Sequence, residues 1–175
     1  FVKVANGEPV VIPNGPIDLS NALYNAAISK VTYGGKTEAF DPNKQYPRDA
    51  KFTFELKYAF AENNKPTVSG VQQATYQLPA CLSVVEASGT IDCPGYAGKA
   101  GTYEIKNGVV TFTYEPEFLT KHPSDIRGDF SFTGAVSKSE SENKEQVTID
   151  FGGSGTTTPI TIKFEEGKVT GDKIY

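Results

Sequence analysis

The reactive side chains of this 175-residue chain are few: Cys81, Cys93, the single histidine His122, and scattered acids. Cys81 and Cys93 lie close in sequence, with Ser88-Gly89 between them as a turn signal. A pair so placed is easily brought within the ~6 Å that a disulfide spans, so the spacing predicts a Cys81–Cys93 bridge across the base of a loop in an oxidising compartment. Two buried free thiols are the alternative. A metal site is not expected, because His122 is the sole nitrogen ligand and no C-x-x-C spacing occurs. His122 precedes Pro123 in a polar stretch and reads as solvated. Glu115 and Glu117 flank Pro116, and exposed acids on a β edge usually serve only to keep it soluble. No serine sits in a G-x-S-x-G turn, so the nucleophile elbow of hydrolases is missing. Gly152-Gly153-Ser154-Gly155 leads into no helical pattern and reads as a flexible turn rather than a phosphate loop. Asp41-Pro42-Asn43 reads as a turn before it reads as calcium ligands. No catalytic residue and no cofactor are expected. Arg127-Gly128-Asp129 spells an integrin-recognition tripeptide. Ile126, Gly128, Phe130 and Phe132 alternate through it, however. The tripeptide therefore reads as the start of a strand, with Arg127 and Asp129 pointing outward together, and not as a loop tip.

The elements that must carry these residues are almost all strands. Phe52, Phe54, Leu56, Tyr58 and Phe60 share one face of a long alternating run, and Lys51, Thr53, Glu55 and Lys57 share the other. Period two over about ten residues predicts a strand with one face on the core. Tyr103 and Ile105 alternate before Asn107-Gly108, and Val110, Phe112 and Tyr114 alternate after it. Asn-Gly between two alternating runs predicts a hairpin, because a type I′ turn needs φ > 0 at both central residues. Gly34-Gly35 predicts another hairpin, and Asp18 caps either a helical turn or the first strand. Residues 71–78, 82–85, 126–136, 146–151 and 159–164 read as further strands, and residues 167–175 as a short last one. Residues 115–125 and 137–145 read as polar connections. Roughly ten strands with almost no helix predict an all-β chain folded as a β-sandwich.

Composition limits the function classes. Phe 11 and Tyr 9, punctuated by Gly 17 and Pro 11, suit strands and turns. The length suits one domain, taken as residues 17–175, behind a Pro-punctuated extended arm or linker at residues 1–16. Net charge is −4 with no basic cluster, which argues against nucleic acid and anionic membrane surfaces. No apolar run is long enough to span a membrane, and the first residues lack the basic and apolar regions of a signal peptide. Trp is absent, which removes the best stacking face for a carbohydrate-binding module, though nine tyrosines keep that class open.

Several of these stretches carry a resemblance in their order and spacing. They are Val110-Thr111-Phe112-Thr113-Tyr114-Glu115 after the Asn-Gly turn, the run AKFTFELKYAF followed by VQQATYQLP, and the step from Ser124 to Phe130. Over roughly residues 17–165 the chain resembles the ligand-binding immunoglobulin-like (N2-type) domains of Gram-positive cell-wall adhesins, the fibrinogen- and collagen-binding surface proteins. The resemblance implies an immunoglobulin-like β-sandwich, extracellular and anchored to the cell wall. It implies an extracellular-matrix or cell-surface protein as partner. It also places Val110, Thr111, Phe112, Thr113 and Tyr114 at or near a sheet edge, in a groove that takes an extended segment by β-strand addition. In such proteins the segment is a latch strand from an adjacent adhesin domain. The chain departs from the pattern at Glu115-Pro116, and Pro116 shortens the pairing edge because it lacks an N–H. Lys57 resembles by position the lysine that forms isopeptide bonds in related domains. Its face, shared with Thr53 and Glu55, predicts that it stays in solvent and forms none, since the reaction needs a buried neutral amine. Gln72, Gln73 and Cys81 are the residue types of a thioester, for which the Cys81–Cys93 disulfide is the simpler account. A pilin or stalk domain without a ligand site is the alternative to the adhesin.

Overall fold

The alternating run at residues 51–59 is the axis of the fold. Phe52, Phe54, Leu56 and Tyr58 are buried, whereas Lys51, Glu55 and Lys57 are exposed. The structure is a computed structural model that describes residues 15–152 and 157–166. Residues 1–14 of the arm, the turn beyond Gly152 and the strand expected at 167–175 lie outside the described residues. In chain order the elements are β1 (Ile17–Asp18), a 3-10 turn (Leu19–Ala22), β2 (Leu23–Tyr33), β3 (Lys36–Ala39), β4 (Gln45–Tyr46), β5 (Lys51–Ala59), β6 (Gln73–Gln77) and β7 (Leu82–Val84). They continue with β8 (Ala87–Ile91), β9 (Gly101–Lys106), β10 (Val109–Tyr114), α1 (Pro116–Lys121), β11 (Arg127–Val136), α2 (Lys138–Ser141), β12 (Gln146–Ile149) and β13 (Ile160–Phe164). The chain is therefore all-β, with two short helices among the described residues.

Three sheets form, in the orders β1-β6-β10-β9-β8, β3-β2-β5-β11-β7 and β12-β13-β4. The two five-stranded sheets meet through aromatic rings. Tyr58 of β5 packs on Phe112 of β10 with centroids 5.4 Å apart, and Phe112 meets Phe130 of β11 edge to face at 5.2 Å. The hydroxyls of Tyr58 and Tyr114 hydrogen-bond across the same gap at 3.0 Å. A buried phenol needs such a partner. The Asn-Gly hairpin forms as the turn chemistry requires, with φ of 53° at Asn107 and 78° at Gly108.

Three local expectations change. Ser88-Gly89 is not a turn but the middle of β8, the edge strand of the first sheet. Glycine lets the Tyr103 ring lie over it, since a Cβ would stand 2.8 Å from that ring and push it aside. The polar connection at 115–125 contains α1, which opens with Pro116 in its first turn and buries Phe118 and Leu119. Proline is well placed at a helix start, where its missing N–H would be unpaired anyway. The connection at 137–145 contains α2.

Arg48, just beyond β4, gathers the main chain that flanks the third sheet. Its Nε donates to the Ser141 carbonyl at 2.8 Å and its Nη1 to the Glu165 carbonyl at 2.7 Å, while Nη2 donates to the Lys144 carbonyl. The guanidinium also lies over the Phe164 ring, 5.2 Å from its centroid. Arg48→Ala strips the partners from three carbonyls and should cost about 2–3 kcal/mol, with Arg48→Lys recovering only part because an ammonium lacks the planar fork. Urea denaturation midpoints measure both. Phe112→Ala should cost ~3–5 kcal/mol by the same assay, since it opens a cavity between the sheets.

Candidate functional site

The expected groove strand is not at an edge. β10 pairs with β9 on one side, from Val109↔Lys106 to Tyr114↔Gly101, and with β6 on the other, from Val109↔Gln77 to Thr113↔Gln73. The hairpin turn supplies one neighbour, and the strand that ends before Pro79 supplies the other, so no main-chain edge remains. Val110, Phe112 and Tyr114 are buried toward the second sheet. Thr111 and Thr113 project from the opposite face, where the Thr113 hydroxyl accepts from the Gln73 amide at 3.1 Å. The five residues thus split between two faces, and only Phe112 reaches an opening.

That opening is made by a strand that changes sheets. β7 pairs with the end of β11, Gly134↔Val84 to Val136↔Leu82, and the Val85 N–H adds a bond to the Thr133 carbonyl at 3.0 Å. The chain then crosses through Glu86 and becomes β8, which pairs only with β9. The first half of β11 is left with β5 on one side and no strand on the other. Even-numbered residues of β11 turn their main chain toward β5, as the Phe60 N–H to Ile126 carbonyl bond shows. Arg127, Asp129 and Ser131 therefore turn N–H and C=O to the open side. In β8 the Ile91 carbonyl faces β9 and accepts from the Ala100 N–H at 2.7 Å, so Ser88 and Thr90 present theirs outward. None of these five residues has a main-chain partner on its open side among the described residues.

Between the two edges lies a cleft of about 700 Å³. Its wall is aromatic and aliphatic, with Tyr58, Tyr103, Phe112, Phe130 and Ile91, and Cys93 stands near its mouth. Phe130, Tyr103 and Ile91 are half-buried, so they remain reachable from solvent. The rim carries exposed Asp92 and Asp129, neither of which has a cation within 4 Å among the described residues. Arg127 is neutralised locally, its Nη2 lying 2.7 Å from Asp125. Arg127-Gly128-Asp129 opens β11 with both charged residues exposed, as the alternation predicts. The cleft was missed from sequence because it depends on where β7 leaves its sheet.

The cysteines do not form the expected bridge; both are free thiols. The Cys81 carbonyl accepts from the Ser137 N–H at one end of β11, and Cys93 lines the cleft shared with residues 127–131 toward the other end. Six or more residues of strand separate the two levels, about 20 Å, against the ~7 Å limit for a bridge. Burial pushes the Cys81 thiol pKa up. Lys57 is exposed, opposite Asp129 in the β5–β11 register. His122 is not solvated: its ring stacks on Phe118 at 5.1 Å, and its Nδ1 is buried without a hydrogen-bond partner. Glu115 and Glu117 pair separately with Lys99 and Lys121 and do not converge. No cluster of three metal-ligating side chains occurs among the described residues, and none of their helices is long and apolar enough to cross a membrane. No protein-family model matches the chain, and no curated protein matches it.

Two outcomes follow for solution measurements. Native, unreduced protein should titrate two thiols, with Cys93 reacting ahead of Cys81. Its intact mass should equal the reduced value, and a mass about 2 Da lower would mean that a bridge forms after all. Burial, partly offset by the hydrogen bond with Tyr114, pushes the Tyr58 phenol up to about 12, and burial pushes Tyr114 up as well. An unfolded tyrosine ionises near ~10, so the stabilisation is complete below that pH and is lost as pH rises from ~10 toward 12. Denaturation midpoints should fall across that window, and the fall should become shallower when Tyr58 and Tyr114 are both replaced by Phe, with the Tyr76 phenol, also pushed up by burial, accounting for part of what remains.

Proposed function

We propose that the chain is an immunoglobulin-like β-sandwich domain of a cell-wall-anchored surface adhesin, which binds a host or neighbouring-cell protein through the cleft between β8 and β11. The observation that carries this reading is the pair of open strand edges on either side of a cleft with an aromatic wall and a polar rim. An edge with unpaired N–H and C=O groups is a template for another strand, and soluble proteins usually cover or charge it. Half-buried aromatic residues beside polar main chain also suit a peptide better than a small polar substrate. The partner class comes from the resemblance that the sequence stretches named above bear, in order and spacing, to fibrinogen- and collagen-binding domains.

The second reading is a pilin or stalk domain. It draws on the central position of β10, which removes the edge that the resemblance would use for a latch. Surface plasmon resonance on immobilised fibrinogen and collagen separates the two. The wild-type domain should bind at least one saturably, and the double variant Thr90→Arg/Ser131→Arg, which plugs the mouth from exposed positions, should bind at least tenfold more weakly with an unchanged melting temperature. Absence of saturable binding to both would favour the stalk.

A further inference from the structure

The chain shows once how it holds a guanidinium. Arg48 lies over the Phe164 ring and donates to three main-chain carbonyls. The cleft between β8 and β11 brings together groups of the same kinds, a ring face and open carbonyls, and adds an acid. We propose that it takes one arginine side chain of the partner protein, stacked on Tyr103 and paired with Asp92. The proposal rests on the binding role given above and names the partner group that the cleft recognises.

The ring belongs to an overhang. In the first sheet β9 and β8 follow β10, and in the second sheet only β7 follows β11. Phe112 of β10 meets Phe130 of β11, whereas β7 covers β11 at residues 134–136 alone. At the level of Phe130, β9 and β8 therefore run past the edge of the second sheet. Tyr103 is opposite Phe112 on one side and Gly89 on the other, so it shares the inward face of that overhang. Its ring leans across the glycine. A Cβ on Gly89 would stand 2.8 Å from the ring Cε2, 3.1 Å from Cζ and 3.0 Å from the hydroxyl oxygen. Main chain thus backs the ring, and the half-buried Tyr103 lines the cleft with what remains. Sheets stack ~10 Å apart, and a ring resting on main chain fills roughly the first 4 Å. A layer suited to a planar group is left above it.

The rim sets the charge and the hydrogen bonds. Ser88 and Thr90 on one edge, and Arg127, Asp129 and Ser131 on the other, turn main-chain carbonyls to the open side. A guanidinium carries five N–H donors in one plane and no acceptor, so carbonyl edges match it. Among the described residues that line the cleft, the cation is Arg127, and its charge is spent on Asp125. Asp129 stands opposite Lys57 in the β5–β11 register, which answers its charge. Asp92 lines the cleft with no cation within 4 Å among the described residues, and it is the acid left for a ligand. An arginine over a tyrosine face and beside a carboxylate gains a cation–π attraction and a charge-assisted pair. Lysine suits the place less well, because its ammonium is a compact point charge without a plane to stack.

The test titrates the intact domain with three small probes, the N-acetyl amides of arginine, lysine and citrulline, and follows it by heteronuclear NMR. The arginine probe should bind saturably and shift the amide signals of Gly89, Asp92 and Tyr103. It should bind at least fivefold more tightly than the lysine probe, which keeps the charge without the plane, and than the citrulline probe, which keeps the plane without the charge. Asp92→Asn changes an exposed side chain and should bring the arginine probe down to the affinity of the citrulline one. Tyr103→Phe keeps the ring and should bind arginine within twofold of the wild type, and Tyr103→Leu at least fivefold more weakly. Equal affinity for the arginine and lysine probes would overturn the stacking platform. Equal affinity for the arginine and citrulline probes would overturn the role of Asp92. No saturable binding of the arginine probe would overturn the proposal. If the domain then still binds fibrinogen or collagen, the adhesin reading stands without it; if it binds neither, both fall.

Discussion

Everything in this domain hangs on the aromatic face of β5. Phe52, Phe54, Leu56 and Tyr58 are fully or almost fully buried and form the floor on which the first sheet is laid. Burying a large apolar side chain stabilises the fold by about 1.5–3 kcal/mol, so this one strand supplies a large part of the driving force. It also fixes orientation, because a slip of one residue would turn Lys51, Glu55 and Lys57 into the core. The neighbours β2 and β11 take their registers from it. With β5 fixed, Tyr58 sits under Phe112 and Tyr114, and the spacing of the two sheets at the cleft follows.

The cleft is a consequence of a short edge strand rather than a carved pocket. β7 covers only the last residues of β11 and then serves the other sheet as β8. The crossing closes the side of the molecule at one level and leaves it open at the next. Apolar rings that would be sealed in a fully closed pair of sheets are therefore half-exposed beside unpaired main chain. The candidate site and the incomplete closure are one feature.

What the sequence announced and what it hid divide along a physical line. The β5 alternation, the Asn107-Gly108 hairpin and the exposed face of Lys57 are local properties, set by side-chain period and turn conformation, and the structure has them. β8 was hidden because its small neutral residues, Ala-Ser-Gly-Thr, show no apolar period, and its glycine serves a ring from another strand. α1 was hidden because Phe118 and Leu119 are embedded in polar sequence, although Pro116 following Glu115 is a helix-start signal. The edge status of β10 and the separation of Cys81 from Cys93 are long-range facts. They depend on which strand lies beside which, and the spacing of residues along the chain does not carry that information.

Arg48 holds the flanks of the third sheet through acceptors that carry no charge. The Ser141, Glu165 and Lys144 carbonyls that it gathers are main chain and have no proton to gain or lose. Because these acceptors are neutral, dissolved salt has little to screen. A carboxylate in their place would have made the join sensitive to both. The seam beside β13 is thus held by a fork of donors on neutral main chain rather than by a pair of opposite charges.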